Sequence, residues 1–274
     1  FGLYMWHTIF SIAYAYISTL IVADSTSYYL KSIYQLGEFH IGTMAITHFT
    51  AIFSKALGFS YLGVFLVFNI FGAIGLIATD AALRHATVDK SKFVKQLALI
   101  VVLLPSMSFW TSAIGKDSIA FMATSLALWS AIHLRKRYFM MMVAVVVMFI
   151  VRPHISGIMV VSLAIAVVLS GGLKYLSKTI FLALTLVAAA LIVPFVFDWI
   201  RVEQDIEAII EYINSRQNYN QAGGGGIDIS SMSLFKQIFV YLFRPLPHEA
   251  HSFFALIASL DNLLLLLVFL LFTL

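Results

Sequence analysis

Residues 138–171 read YFMMMVAVVVMFIVRPHISGIMVVSLAIAVVLSG, and Arg152 and His154, on either side of Pro153, are the only arginine and histidine in the run. As one helix, the run would hold an arginine and a histidine at the bilayer centre, the most costly depth for either. Proline inside a helix removes a backbone donor and collides with the preceding turn, so it favours a break here. The stretch therefore predicts two short helices, 138–151 and 155–171, joined by a turn at Arg152-Pro153-His154.

That choice fixes the topology of the rest. A helix needs about 20 apolar residues to cross about 30 Å of hydrocarbon. Further apolar runs lie at 2–22, 59–80, 94–110, 118–134, 178–198 and 254–274. With the turn at 84–95 in the cytoplasm, alternation puts 135–137 and 174–178 inside as well. These turns hold Arg84, Lys90, Lys92, Lys95, Arg135, Lys136, Arg137, Lys174 and Lys178, against Asp80 and Asp89. Basic residues concentrated in short loops mark the cytoplasmic side. A single span over 138–171 would send Lys174 and Lys178 outside and spoil the pattern. The fold class expected is all-α: one polytopic transmembrane helical bundle over 1–274, of about eight spans with a cytoplasmic start.

Composition agrees. The chain is 61% hydrophobic and 11% charged, with a mean hydropathy of +0.97, whereas a soluble domain is about half apolar and a quarter charged. It has no cysteine, which excludes disulfides, thiolate metal sites and cysteine nucleophiles. The net charge of +4 sits in short turns without interleaved stacking platforms, so no nucleic acid is expected as a partner. Phe1 and Leu274 both lie inside apolar runs, which predicts further residues at both ends. The first run lacks the basic flank and small-residue cleavage site of a signal peptide.

Two outer segments are long. Loop 23–58 carries Asp24-Ser-Thr-Ser-Tyr-Tyr and then an amphipathic stretch near 44–57, expected to lie along the outer interface or dip into it. Loop 199–250 opens on an acidic helical region with Glu203, Asp205, Glu207 and Glu211. A Gln-Ala-Gly-Gly-Gly-Gly hinge at 221–226 follows, then a second amphipathic stretch.

Four polar clusters fall on the outer side, each at the end of an apolar run. Ionisable groups at membrane depth usually mark a substrate path or reaction centre, so one composite site is expected. Asp24, beside apolar walls, suits a general base, and it equally suits a helix N-cap. Lys116 and Asp117 follow Gly115, which would let the backbone turn while Asp117 caps the next helix. The free amides of that helix, with Lys116, would hold an anionic phosphate. The alternative is a capped helix whose lysine reaches for lipid headgroups. Arg152 offers paired donors to phosphate, and His154 a proton or a second hydrogen bond. Arg244, His248 and Glu249 lead into the final span. Their spacing, with His251, departs from the zinc-protease pattern, so no metal site is assigned. Asp261, just inside that span, is available to pair with one of these bases. Aromatic side chains are read as an interfacial belt.

Taken together, the segments Ala-Asp-Ser-Thr-Ser-Tyr-Tyr at 23–29, Pro-Ser-Met-Ser-Phe-Trp-Thr-Ser-Ala-Ile-Gly-Lys-Asp-Ser at 105–118, Val-Arg-Pro-His at 151–154 and Phe-Arg-Pro-Leu-Pro-His-Glu-Ala at 243–250 resemble those of polytopic GT-C-type membrane glycosyltransferases and related bacterial cell-surface polysaccharide polymerases. The resemblance implies an enzyme of the bacterial cytoplasmic membrane with its active face outside the cytoplasm. Its partners would be a polyprenyl-phosphate-linked sugar, a glycan or lipid acceptor, and the bilayer itself. Asp24 occupies the place of the family's loop acid, a base or metal ligand, so a divalent cation is compatible and no organic cofactor is implied. Charge and side assign Lys116, Arg152 and Arg244 to the donor phosphate, with Asp117, His154, His248 and Glu249 beside them. The chain departs from the family in lacking a clear acidic pair in the first loop and a large soluble C-terminal domain, and in its lower span count. The rival classes are a transporter or flippase of a lipid-linked or anionic substrate, and a non-catalytic membrane subunit.

Overall fold

Helix α4 (Tyr61–Ala86) is the axis around which the first part of the chain packs. The computed structural model describes residues 1–21, 23–169, 206–221 and 232–273, with isolated positions between 179 and 197 and residue 229. Every regular element among them is helical. The expected inside turn at 174–178, most of the span 178–198, residues 203 and 205 and the hinge beyond Gln221 lie outside the described residues. The chain forms two compact units, Phe1–Ile192 and Val193–Leu274.

The first unit contains α1 (Gly2–Leu20), α2 (Asp24–Tyr34), α3 (Thr43–Ala51) with a π-helical turn at Ile52–Ala56, and α4. It continues with α5 (Lys92–Val102), α6 (Pro105–Trp110), α7 (Lys116–Ile132), α8 (Leu134–Val151) and α9 (Pro153–Leu169). Local signals fix several starts. Ser60 and Ser91 cap α4 and α5, accepting from the amides of Gly63 at 3.2 Å and Val94 at 3.4 Å. Pro105 and Pro153 stand first in their helices, where a missing N–H costs nothing.

The helices α8 and α9 fold back on each other at Arg152. A straight helix would hold residues 145 and 156 about 16 Å apart, at 1.5 Å per residue. Instead Ser156 Oγ donates to the Val145 carbonyl at 3.1 Å, and Met159 and Leu163 pack on Met141 and Ala144. The break expected at Pro153 is a hairpin turn.

Two helical segments are long and apolar enough to cross a membrane, Tyr61–Ala86 and Lys92–Trp110. The pair α1 and α2, bent by 77°, makes a third if counted as one span. Along α4 the exposed Ile70, Ile74 and Ile77 form a stripe opposite the buried Phe65, Phe68 and Leu76. Such a stripe is costly in water and costs nothing against lipid. The amphipathic stretch of the first outer loop, α3 and its π turn, buries Ala45, Ile46, Thr47 and Thr50 against α2 and α8.

Because lipid tails are as apolar as leucine, small residues and polar pairs hold such helices together. Opposite α4, α7 presents Ser118, Ala123, Ser125 and Ala127, and Thr79 Oγ1 donates to Ser125 Oγ at 2.9 Å. A Cβ on Gly75 would stand 2.7 Å from Phe121 Cδ1 and 3.0 Å from the Met122 backbone. Where α1, α4 and the segment after α6 meet, His7 is fully buried. The Asn69 amide nitrogen donates to Thr8 Oγ1 at 2.8 Å, so Asn69 Oδ1 accepts from His7 Nδ1–H at 2.6 Å. His7 Nε2 lies 3.1 Å from Thr111 Oγ1. A Cβ on Gly72 would fall 2.1 Å from the Thr111 carbonyl and 2.4 Å from the His7 ring.

The second unit contains α10 (Ile206–Gln221), α11 (Leu234–Phe243), a 3-10 turn (Pro247–Glu249) and α12 (Phe253–Thr273). Phe243 packs on Phe239 and Phe269, joining α11 to α12.

Gly72→Ala is expected to cost about 1–3 kcal/mol, the range for forcing a methyl group into a filled core. Asn69→Ala leaves the His7 N–H buried without an acceptor, at about 1–3 kcal/mol. Unfolding of the purified protein in mixed micelles checks both, with Ile74→Ala as the lipid-facing control.

Candidate functional site

Three of the four clusters expected on the outer side meet at one end of the first unit. Asp24 is the first residue of α2, after the bend from α1. The N-cap is Ala23, so Asp24 does not cap the helix, and the cap alternative is set aside. Its neighbours are tied down by Tyr61 at the start of α4, whose hydroxyl lies 3.2 Å from Ser25 Oγ, 3.1 Å from Thr26 Oγ1 and 2.9 Å from Ser18 Oγ. Thr26 Oγ1 also donates to the Ser18 carbonyl at 3.0 Å. The ends of α1 and α4 thus position an exposed carboxylate.

Lys116 and Asp117 open α7. The segment before them is held by Ser11 Oγ, which donates to the Ser112 carbonyl at 3.3 Å, and by Tyr28, whose ring packs over Gly115. Gly115 has extended backbone (φ 161°, ψ −173°) that any residue adopts, so this turn does not depend on glycine. Gly115 is the N-cap and α7 has no side-chain cap; Asp117 accepts from Arg152 Nη2 in an ion pair instead. The expected capping role of Asp117 is therefore corrected: its carboxylate serves the α8–α9 turn, and the first amides of α7 stay open.

Arg152 terminates α8. The turn beside it is clipped to the start of α3, where the Gly42 amide donates to the Ile150 carbonyl at 2.7 Å. Gly42 has φ 88°, in the left-handed region that favours glycine. The next residue, Thr43, hydrogen-bonds the Tyr28 hydroxyl, closing a ring of contacts from α2 through α3 to α8.

The charges form one neighbourhood. Lys116 is half-buried, and burial, then the repulsion of Arg152, holds its ammonium below the usual lysine range against the opposing pull of Asp117 and Asp24. Burial of the His154 imidazole, with the positive charges of Arg152 and Lys116, lowers its pKa too, so it is neutral at pH 7. Burial raises the Tyr28 phenol, and Asp24 and Asp117 raise it further against the Thr43 hydrogen bond and Arg152. Among the described residues, neither the Asp24 carboxylate nor the Lys116 ammonium has a hydrogen-bond or ion-pair partner. An open helix N-terminus with a cation beside it is an anion-binding arrangement.

Beneath this end lies an apolar groove of about 600 Å³, lined by Ile46, Phe49, Ile119, Met122, Val147 and Val151 among others. Ile119 is three residues after Lys116, on the same face of α7, and Val151 immediately precedes Arg152. Lys116 and Arg152 thus stand next to the apolar wall on α7 and at the end of α8.

The fourth cluster belongs to the second unit. Arg244 Nε donates to Glu249 Oε2 at 2.8 Å, the Leu246 amide donates to the same oxygen at 2.9 Å, and His248 Nε2 lies 3.7 Å from Glu249 Oε1. The hydrogen bond from Arg244, then that from Leu246, holds the Glu249 carboxyl below the usual range. Arg244, expected as a third phosphate ligand, already has a carboxylate partner. No three His, Asp or Glu side chains gather around one point among the described residues.

Tyr28 and Tyr61 carry no functional signal in the sequence, whereas the glycines at 37 and 42 already mark a turn. The tyrosines carry the signature of any interfacial aromatic, and only their hydroxyl contacts separate them from the belt. Compared with family models, curated proteins and solved structures, the chain finds no match in any of the three.

Binding of inorganic pyrophosphate is expected to weaken as pH rises through the lowered Lys116 range, at a lower pH than an ordinary lysine would give. Lys116→Gln removes that limb, as calorimetry across pH will show. Without ligand the sign reverses. Between the lowered folded value and the unfolded one, the unfolded chain holds more protons, so stability rises with pH. For Glu249 the depressed value means that its stabilisation is complete above the ordinary carboxylate range and lost as pH falls through the lowered one. The protection factor of the Leu246 amide in hydrogen exchange is expected to persist to correspondingly low pH.

Proposed function

We propose that this chain is an outward-facing membrane glycosyltransferase or polymerase that transfers sugar from a polyprenyl-phosphate-linked donor during cell-surface polysaccharide synthesis. The carrying observation is that Asp24, at the start of α2, and Lys116, at the open N-terminus of α7, have no hydrogen-bond or ion-pair partner among the described residues, while Ile119 of α7 lines an apolar groove. An amphipathic donor fits that order of surfaces, with its chain along Ile119 and Val151 and its phosphate at Lys116. In this reading the chain crosses the bacterial cytoplasmic membrane eight times, and the site faces away from the cytoplasm.

The chemistry asked of each group is limited. Asp24 accepts the proton of the acceptor hydroxyl as its oxygen attacks the anomeric carbon. The bond from that carbon to the phosphate oxygen breaks, and the phosphate leaves as an anion. Lys116 and the first amides of α7 stabilise the charge as it develops. Arg152, oriented by its ion pair with Asp117, adds a second positive centre. The activated donor supplies the driving force, so no nucleotide is required.

A transporter or flippase has one observation in its favour, the polar node of His7, Asn69 and Thr111 inside the bundle. Its members are tied to one another and to Thr8 and the Met107 carbonyl, and the Gly72 backbone presses against it, which suits a structural clamp better than a path. Assay of the purified chain with a lipid-linked sugar and acceptor separates the readings. Asp24→Asn is expected to lower transfer by about 10²–10⁴-fold, the usual contribution of a positioned base. Lys116→Gln should lower it with little change in stability. Wild-type rates in Asp24→Asn would remove Asp24 from the chemistry.

A further inference from the structure

At the other end of α4 lies a second concave surface that the proposed reaction does not use. The two segments long and apolar enough to cross a membrane, Tyr61–Ala86 and Lys92–Trp110, are joined there by the short turn 87–91. Between the last turns of α4 and the first turns of α5 is a groove of about 420 Å³. Its wall includes Leu83, Val88 and Leu99, and its rim carries Arg84, Lys92 and Lys95. It opens outward: only 17% of the most apolar window of Lys92–Trp110 is buried, and Phe93 and Leu99 are 58% and 42% exposed.

The rim is unbalanced. Arg84 Nε donates to Asp80 Oδ2 at 2.7 Å, which matches one cation with the one acid of the lining. Lys92 and Lys95 have no hydrogen-bond or ion-pair partner among the described residues, although they stand at the edge of an apolar wall. The sequence places this turn among the basic loops that face the cytoplasm. Two demands fall on any occupant. It must be apolar along Leu83 and Leu99, and anionic where Lys92 and Lys95 project. A soluble anion would leave the wall wet, and a neutral lipid would leave two cations uncompensated. Basic pockets between transmembrane helices at the cytoplasmic boundary are suited to anionic headgroups.

We propose that this groove binds an anionic phospholipid, its phosphodiester between Lys92 and Lys95 and the first carbons of an acyl chain along Leu83, Val88 and Leu99. The site is separate from the glycosyl-transfer proposal and stands if that proposal fails.

The test uses the full chain, reconstituted in nanodiscs of equal phosphatidylglycerol and phosphatidylcholine, then released and weighed with its retained lipids by native mass spectrometry. Wild type is expected to retain phosphatidylglycerol in preference to phosphatidylcholine. Lys92→Gln with Lys95→Gln should lower that preference by roughly 30-fold, two basic residues each contributing on the scale seen at anionic membrane surfaces. Both lysines are exposed, so the double variant is expected to fold, as its elution volume will show. The matched control is Arg135→Gln with Lys136→Gln, which removes equal charge from the basic start of α8 and should keep the preference. Leu99→Asn leaves both cations in place and should lower retention of the lipid without strengthening the binding of glycerol phosphate. Equal retention of the two lipids by wild type overturns the proposal. So does an equal loss in the control, or complete displacement by glycerol phosphate, which would make the groove a site for a free anion.

Discussion

The hydrogen bond between His7 and Asn69, closed by Thr111, sets the register of the first unit. Between helices whose outward stripes are apolar, as along α4, sliding one past another changes little hydrophobic energy. A buried imidazole and a buried amide change that, because a shift of one turn would strand both without partners in a medium that offers none. Gly72 gives the clamp its tightness: with no side chain there, the Thr111 carbonyl and the His7 ring lie against the α4 backbone. The clamp ties α1, α4 and the segment leading into α7 together.

The outer site inherits that register. The α1 helix delivers Asp24, α4 delivers Tyr61 to hold the residues after it, and the segment from Thr111 delivers Lys116. The α8–α9 hairpin then brings Arg152 to Asp117. Each charged group sits at a helix end, where backbone groups are already open. The cost of taking charge out of water is therefore carried only partly. Lys116, half-buried and unpaired, carries most of it, and an anionic ligand would relieve it.

Legibility in the sequence followed the physics of single segments. Pro153 between an arginine and a histidine marked the hairpin, and the side-by-side placement of 145 and 156 agrees with it. Ser60, Ser91 and Pro105 act within one segment as well, although their roles at helix starts came from the structure. Asp117 shows the limit: its place in a first turn reads as a capping position, yet Arg152, thirty-five residues away, is its partner. Arg244 reads as a match for Arg152, but Glu249, five residues on, satisfies it within the second unit. Tyr28 and Tyr61 are two among 12 tyrosines, and nothing in their local pattern separates a hydroxyl that organises a site from one that faces lipid.

By itself the sequence determined the helical class, the membrane character of its long apolar helices, and which loops concentrate ionisable groups. Those follow from hydropathy and from backbone rules that act within one segment. Only the tertiary structure decided which charges are spent on each other and which remain open. Ion pairing depends on distances between elements far apart in the chain, and no local pattern encodes those distances. Asp117 pairs with one nitrogen of Arg152, Glu249 pairs with Arg244, and Asp24 and Lys116 are left without a hydrogen-bond or ion-pair partner among the described residues.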